Sequence, residues 1–386
     1  MQRAVAAVEV GLDGGRLSGE QRRAVEAICT SGRGGELVVG VAGAGKTTML
    51  RAVAAAFGDA GYRMLGTDTS GQAARNLGTE ADIDESRTLA SLIWRLDRGR
   101  LVLDDHSMVV CDEVGMTDDI ALARLAAHVE AARAKLVLVG DHRQLAAVGP
   151  GGAFQALVNR HPDAVHRLLD NRRQHDLEER QILGQLRDGD VGRAVAWYEE
   201  KGRVHPVADR DAAVQAAVDA WAADIKSGQQ ASMYAWRRAN VAALNQSARS
   251  WMEQTGRLHG PEVGCLGGLA YRAGDQVVTL APGPNGSLVT SERDVIEAVD
   301  PTAGALVVRT QNGRAVTLAG EEASADRLSY GYATTVHRSQ GRSARPDLSR
   351  TISAFRGLDR SWAALHLYNG EAKGPKSKGS SKNFPA

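Results

Sequence analysis

The chain has 386 residues, too many for one ordinary core and enough for two medium domains with an insertion. Its 43% hydrophobic and 24% charged residues are ordinary for a globular protein, and a formal net charge of +1 excludes the broad basic footprint of a histone-like protein while leaving room for a local grip in a cleft. No apolar run approaches the roughly 20 residues that span a bilayer. No signal peptide opens the chain, and Cys29, Cys111 and Cys265 are too scattered for a disulfide framework or a zinc site, so a cytoplasmic protein with no membrane partner is expected.

In chain order, the first expected element is a helix over 17–30, with Ser18 as its N-cap and Ala24, Val25, Ala27 and Ile28 at helical spacing. A buried strand over 36–41 then runs into Gly40-Val41-Ala42-Gly43-Ala44-Gly45-Lys46-Thr47-Thr48, ahead of an Ala-rich helix over 49–57. Small residues let backbone N–H groups converge on phosphates, and a helix start aimed at the same point favours the anion. Lys46 is expected to reach the β- and γ-phosphates of ATP, and the Thr47 hydroxyl to ligand Mg²⁺.

Buried strands are expected at Ser107–Cys111 and at 135–139, with a helix over 120–132 between them. Such alternation implies an α/β fold with a doubly wound parallel sheet. The first of these strands ends in Asp112-Glu113, where ATP hydrolysis needs two carboxylates: Asp112 to hold Mg²⁺ through water and Glu113 to polarise the attacking water. The second ends in Gly140-Asp141-His142-Arg143-Gln144-Leu145; Gln144 either senses the γ-phosphate or sits in a plain strand-to-turn connection. His161, His166 and His175 have no metal spacing and read as surface histidines.

The pattern from about 177 to 223 is helical, followed by a strand over 231–235 and a helix over 239–253. Between about 256 and 320 it alternates with period two, and Asn285-Gly286 and Asn312-Gly313 are hairpin signals, which implies a small antiparallel β module. The last residues, with Lys373, Lys376, Lys378 and Lys382 among Gly and Ser, read as a disordered tail.

The phosphate loop, Asp-Glu-Val-Gly-Met at 112–116 and Gly-Asp-His-Arg-Gln-Leu at 140–145, in this order, resemble a superfamily 1 helicase of the RecD-like branch, and within it the helicase region of TraA-type conjugative relaxases. Leu17-Ser18-Gly19-Glu20-Gln21 is similar to the family's adenine-recognising segment, which casts Gln21 as a purine contact. Leu169-Asp170-Asn171-Arg172-Arg173-Gln174 resembles the fourth motif, in which an arginine reaches the γ-phosphate; Arg173 is the choice and Arg172 the alternative. The 332–341 stretch resembles the fifth motif, which couples the DNA groove to ATP.

The resemblance spans about 17–341. It implies two RecA-like P-loop domains: residues 1–165, then 166–255 with 326–365, interrupted by an SH3-like β insert at 256–325 and followed by a tail at 366–386. It also implies an ATP hydrolase that translocates 5′→3′ on single-stranded DNA and unwinds it in conjugative transfer or in recombination and repair, alongside conjugation or relaxosome proteins. A degenerate module that binds ATP and DNA without productive unwinding is the alternative. Thr67, Thr69, Ser70, Thr88, Thr334, Thr335, His337 and Ser339 are the implied DNA contacts. Trp94 and Trp236 read as core residues, with base stacking as their other use. The family's sixth motif is not found after Gly341; Ser353–Arg360 only loosely imitates it, so a truncated or frame-altered end is expected.

Overall fold

The computed structural model describes residues 1–11, 16–145, 147, 149–172, 176–265, 267–283 and 286–339, and the backbone of two later strands at 352–357 and 362–368. The N-terminal lobe runs α1 (Gln2–Val10), α2 (Gly19–Thr30), β1 (Gly35–Gly40), α3 (Lys46–Asp59), β2 (Arg63–Asp68), α4 (Gly71–Ala81), β3 (Glu85–Thr88), α5 (Leu89–Asp97), β4 (Ser107–Cys111), α6 (Asp119–Ala131), β5 (Lys135–Gly140), α7 (Ala153–Arg160) and β6 (Val165–Leu168). Ser18 caps α2 as expected: its hydroxyl accepts from the Gln21 amide while the Gln21 side chain accepts from the Ser18 amide, a reciprocal capping box.

Six parallel strands form one sheet in the order β3-β2-β4-β5-β1-β6. Successive side chains of a strand face opposite sides, and here both faces are covered. Val38, Val110 and Val139 pack beneath α1–α4, while Val39, Val109 and Leu138 pack beneath α5–α7. The near-continuous apolar runs of β1, β4 and β5 are what two-sided burial demands. Because β6 pairs with β1, this sheet takes in Val165–Leu168 and so reaches past the boundary expected at 165.

The chain continues with α8 (Leu177–Arg187), α9 (Val191–Glu200), β7 (Val204–Val207), α10 (Arg210–Lys226), β8 (Gln230–Ala235) and α11 (Arg238–Gln254). The antiparallel module follows: β9 (His259–Gly264), β10 (Ala270–Ala273), β11 (Gln276–Thr279), β12 (Arg293–Asp300), β13 (Ala305–Arg309), β14 (Ala315–Ala319) and β15 (Leu328–Tyr330). Five of its strands form a sheet ordered β14-β13-β12-β11-β15, closed over Tyr271, Val277, Ile296 and Leu306. The chain then returns through β16 (Ala333–Thr335), α12 (Val336–Ser339), β17 (Ile352–Gly357) and β18 (Trp362–Tyr368).

The second sheet is ordered β16-β8-β18-β17-β7 and packs on Trp221, Met233, Leu244 and Tyr332. It is mixed where an all-parallel sheet was expected, since β18 runs antiparallel to both β8 and β17. The 358–361 link is long enough for a hairpin and too short for the crossover a parallel pair needs. Residues 366–368, expected in the tail, belong to β18; 369–386 lie outside the described residues.

Candidate functional site

Helix α3 starts inside the phosphate loop. Gly45 is its N-cap and has φ +76°, a left-handed conformation; a Cβ there would also stand 2.4 Å from the Gln21 amide nitrogen. The Lys46 ammonium lies 3.2 Å from the Gly40 carbonyl and 3.9 Å from the Glu113 carboxylate, held between the loop and the end of β4. Gln21 is buried and donates to the carbonyls of Gly45 at 3.0 Å and Ala44 at 3.4 Å, which ties the capping helix to the loop. The loop is braced from the other side too. Val41 donates to the Leu168 carbonyl and Arg172 to that of Gly43, each at 3.0 Å, and Glu20 accepts the amides of Leu169 and Asp170.

Three carboxylates face this loop. Asp112 and Glu113 come from the end of β4; Asp68, which the sequence reading missed, comes from the end of β2, the neighbouring strand in the sheet. Burial, then the Glu113 charge, push the Asp112 carboxyl up to about 6 against the pull of Lys46. Burial, then the charges of Asp112 and Glu113, push Asp68 well above the usual carboxylate range. Glu113 sits at φ +47°, an uncommon conformation for a side-chain-bearing residue, which turns the chain out of β4. Behind it, Gly115 lets the turns after β4 and β5 touch: a Cβ there would lie 3.0 Å from the Asp141 carbonyl. The contact puts Gln144 on the same cleft, a space of about 250 Å³ that Asn76, Glu80 and Ser339 also line.

Asp141 is buried and accepts two hydrogen bonds from the Arg187 guanidinium of α8, at 2.9 and 3.0 Å, and a weaker one from Gln144 at 3.4 Å. Burial pushes its carboxyl up, but Arg187 and the Arg143 amide more than offset this and hold it below the ordinary range. A second ion pair, Arg143 with Asp188, joins the same two elements at the surface.

The expected DNA contacts fall into different places. Thr69 is exposed, Ser70 caps α4 and Thr88 caps α5. Thr67 is fully buried in β2, where its carbonyl accepts from the Asp112 amide, so a bound DNA could not reach it without unpacking the sheet. Thr334 is buried as well, 3.4 Å from the Arg293 guanidinium of the β module. Thr335, His337 and Ser339 are half-exposed on β16 and α12. Both tryptophans expected in the core are at the surface, Trp94 at 40% and Trp236 at 60% exposure. His166 is no surface histidine: it bonds the buried Glu36 at 2.8 Å, because β6 lies beside β1. Arg173, Gln174 and His175 lie outside the described residues.

One segment of the β module touches both lobes. Thr290 accepts the Gly71 and Gln72 amides at the start of α4, at 3.0 and 3.1 Å, and the buried Glu292 pairs with Arg75 of α4 at 2.8 Å. Arg293, the first residue of β12, reaches Ser232 of β8 and Thr334 of β16.

A family model described as an AAA domain matches residues 16–209, which run from the capping helix past the strand β7. The chain belongs to the AAA domain family. This AAA domain protein is 36% identical over 334 residues to the conjugal transfer protein TraA of Agrobacterium fabrum (strain C58 / ATCC 33970), covering 85% of its own length and 30% of that protein. It is 35% identical to the probable conjugal transfer protein TraA of Sinorhizobium fredii (strain NBRC 101917 / NGR234), covering 84% and 29%. It therefore spans under a third of the length of these curated relatives. It shares the fold of Bacteroides Pif1 crystallised bound to ssDNA, with a TM-score of 0.53, 17% identity and coverage of 85% of this chain and 84% of that one. The resemblance to TraA-type proteins read from the motifs holds over 334 residues at 36% identity.

The donors in its cleft fit a magnesium nucleotide. Thr47 and Asp112 offer the hard oxygen ligands that Mg²⁺ takes, and a divalent cation would relieve the repulsion among Asp68, Asp112 and Glu113. Among the described residues no three His, Cys, Asp or Glu side chains gather closely enough to hold a metal by themselves. The cation would thus take the rest of its shell from phosphates and water. Among the described residues, too, no helix is long and apolar enough to cross a membrane.

Proposed function

We propose that this chain is an ATP-driven motor that moves 5′ to 3′ along single-stranded DNA and separates duplexes in conjugative transfer, in the cytoplasm and alongside other conjugation or relaxosome proteins. One observation carries the reading. The cleft that gathers Lys46, Asp112, Glu113 and Gln144 is also lined by Ser339, which follows β16 of the second sheet, so a single nucleotide site is lined from both lobes. Nucleotide filling such a site draws on both lobes at once, and its hydrolysis releases them.

In the chemistry of this reading, Thr47 and Asp112 would hold Mg²⁺, which would supply positive charge against the transferred phosphoryl group. The loop amides and Lys46 hold the triphosphate, and Glu113 accepts a proton from the attacking water. Gln144 registers the γ-phosphate, and Arg173 reaches it from the second half. The RecA-like halves are residues 1–168 and 169–255 with 326–365, and 256–325 is an SH3-like insert. DNA contacts are expected from Thr69, Ser70, Thr88, Thr335 and His337.

The decisive experiment is the ATPase rate with and without single-stranded DNA, in the wild type, Lys46→Ala and Glu113→Gln. A motor shows stimulation by DNA that both substitutions abolish. ATP binding without detectable turnover would refute it and favour a module that only binds.

A further inference from the structure

Glu36 is the second residue of β1 and has no exposed surface, and a carboxyl at the base of an apolar sheet is costly unless it is fully bonded. Its two oxygens are served differently. Oε1 accepts from the Ser31 hydroxyl and lies 3.9 Å from the Lys135 ammonium, which donates to the Arg33 carbonyl at 2.7 Å. Among the described residues Oε2 has one partner, His166 Nε2 at 2.8 Å. None of these groups lines the nucleotide cleft.

What His166 does follows from the strand that carries it. β6 has four residues and is the edge of its sheet, with β1 as its neighbour. Only Leu168 is buried; Arg167 is exposed and Val165 half-buried, so apolar burial specifies the register of this strand weakly. The register nonetheless matters to the cleft. The Leu168 carbonyl takes the Val41 amide and Arg172 donates to the Gly43 carbonyl, both in the phosphate loop.

Glu36 and Val38 share one face of β1, and His166, in register with Val38, shares it too. A slip of β6 by one residue would turn His166 to the other face. A slip by two keeps the faces but moves the strand by about 7 Å and sets Ala164 or Leu168 in the place of His166. Neither has a side chain that can bond Oε2. The bond between His166 and Glu36 thus singles out the register in which Leu168 meets Val41.

We propose that His166 is a positioning residue for the nucleotide site: through Glu36 it holds β6 in register, and β6 with the segment that follows it holds the phosphate loop at Val41 and Gly43. The proposal rests on the nucleotide reading of the cleft and adds what aligns the loop from the opposite end of the sheet.

The test uses the full chain, a fluorescent ATP analogue with magnesium for affinity, and hydrogen exchange resolved at single amides, under conditions where circular dichroism shows each variant folded. His166→Leu keeps bulk and removes the bonding nitrogen. It is expected to weaken the analogue about tenfold. Exchange at the Val41 and Arg172 amides should quicken by about the same factor, while the amides of β4 and β5 keep their wild-type rates. His166→Gln, whose amide nitrogen can stand near the place of Nε2, should stay within about twofold of wild type. If His166→Leu does not fold, His166→Asn, too short to reach Glu36, carries the same expectation. Wild-type affinity with wild-type exchange at both amides overturns the proposal. Faster exchange spread evenly over the sheet overturns it too, since it marks a bond that serves stability alone. A wild type that does not bind the analogue overturns the nucleotide reading itself.

Discussion

Arg187→Ala tests whether the end of β5 and helix α8 are joined through a buried charge. Asp141 is about 1% exposed in its side chain and Arg187 about 21%, and the two are bonded at 2.9 and 3.0 Å. At that separation and an effective dielectric of about 20, the gross attraction is about 5–6 kcal/mol. Removing one partner of a buried pair costs about 3–5 kcal/mol, because the remaining charge stays desolvated. The partial exposure of Arg187 places this case near the lower end, about 3 kcal/mol. Arg143→Ala removes the neighbouring pair with Asp188, whose side chains are 47% and 67% exposed, and should cost less than about 1 kcal/mol.

Urea titrations of both variants followed by circular dichroism, with hydrogen exchange resolving α8, give the comparison. Adding Asp141→Asn to Arg187→Ala should recover part of the loss, since an amide needs no counter-ion. The pH dependence has a definite sign. Asp141 is held below its ordinary value of 3.8, so the stabilisation is present above that value and disappears as pH falls through the lower folded value. The gap between wild type and Arg187→Ala should therefore be full at neutral pH and close in strong acid. Equal midpoints for Arg187→Ala and Arg143→Ala would refute the reasoning.

Three further expectations concern other parts of the molecule. Burial and the Glu292 charge raise Asp294 from 3.8 to about 7, so its neutral form favours the fold; urea midpoints should fall as pH rises through that window, and the fall should be smaller in Asp294→Asn. The Gln21 amide is committed to the loop carbonyls at 3.0 and 3.4 Å, so Gln21→Ala should weaken ATP and GTP to a similar degree, as read by competition with a fluorescent nucleotide. A loss confined to ATP would show instead that Gln21 reads adenine. Gly115→Ala places a methyl 3.0 Å from the Asp141 carbonyl, which should part the two catalytic turns and lower ATP turnover at least tenfold (roughly the effect of 1.4 kcal/mol on a barrier), with a cost in urea stability of about 1–3 kcal/mol.

The nucleotide cleft was readable because its chemistry is local. Small residues, Lys46 and the Ala-rich helix are consecutive, and β1, β4 and β5 announce themselves as apolar runs because both sheet faces are covered. Asp68 was not readable. It joins the carboxylates only because β2 lies beside β4, with Thr67 opposite Cys111, and strand order is a tertiary fact. The same holds for Asp141 and Arg187, which are 46 positions apart. Strand β3 reads Glu-Ser-Arg-Thr and carries no apolar signal, since an edge position buries it only partly. Thr67 and Thr334, DNA contacts by resemblance, both lie on strands whose neighbours cover them. The exposure of Trp236 depends on where β8 ends, and periodicity says little about an element's last residue.

The short segment from Thr290 to Arg293 turns three bodies into a closed linkage. Two lobes joined by a hinge can swing freely; a third bar pinned to both removes that freedom unless one pin turns or lets go. The pin on α4 consists of two hydrogen bonds from backbone amides, to the Thr290 hydroxyl and carbonyl, and the ion pair of a 31% exposed Arg75 with the buried Glu292. The pin on the second sheet is Arg293, desolvated against Tyr234 and Ser232. The second lobe also holds the module through Arg249 to Asp275 and Glu262 and through Tyr332 to Asp275, so the attachment to α4 is the one with fewer contacts. On the motor reading proposed above, the β module would travel with the second lobe, and each swing would make or break a contact at the start of α4, beside Thr69 and Ser70.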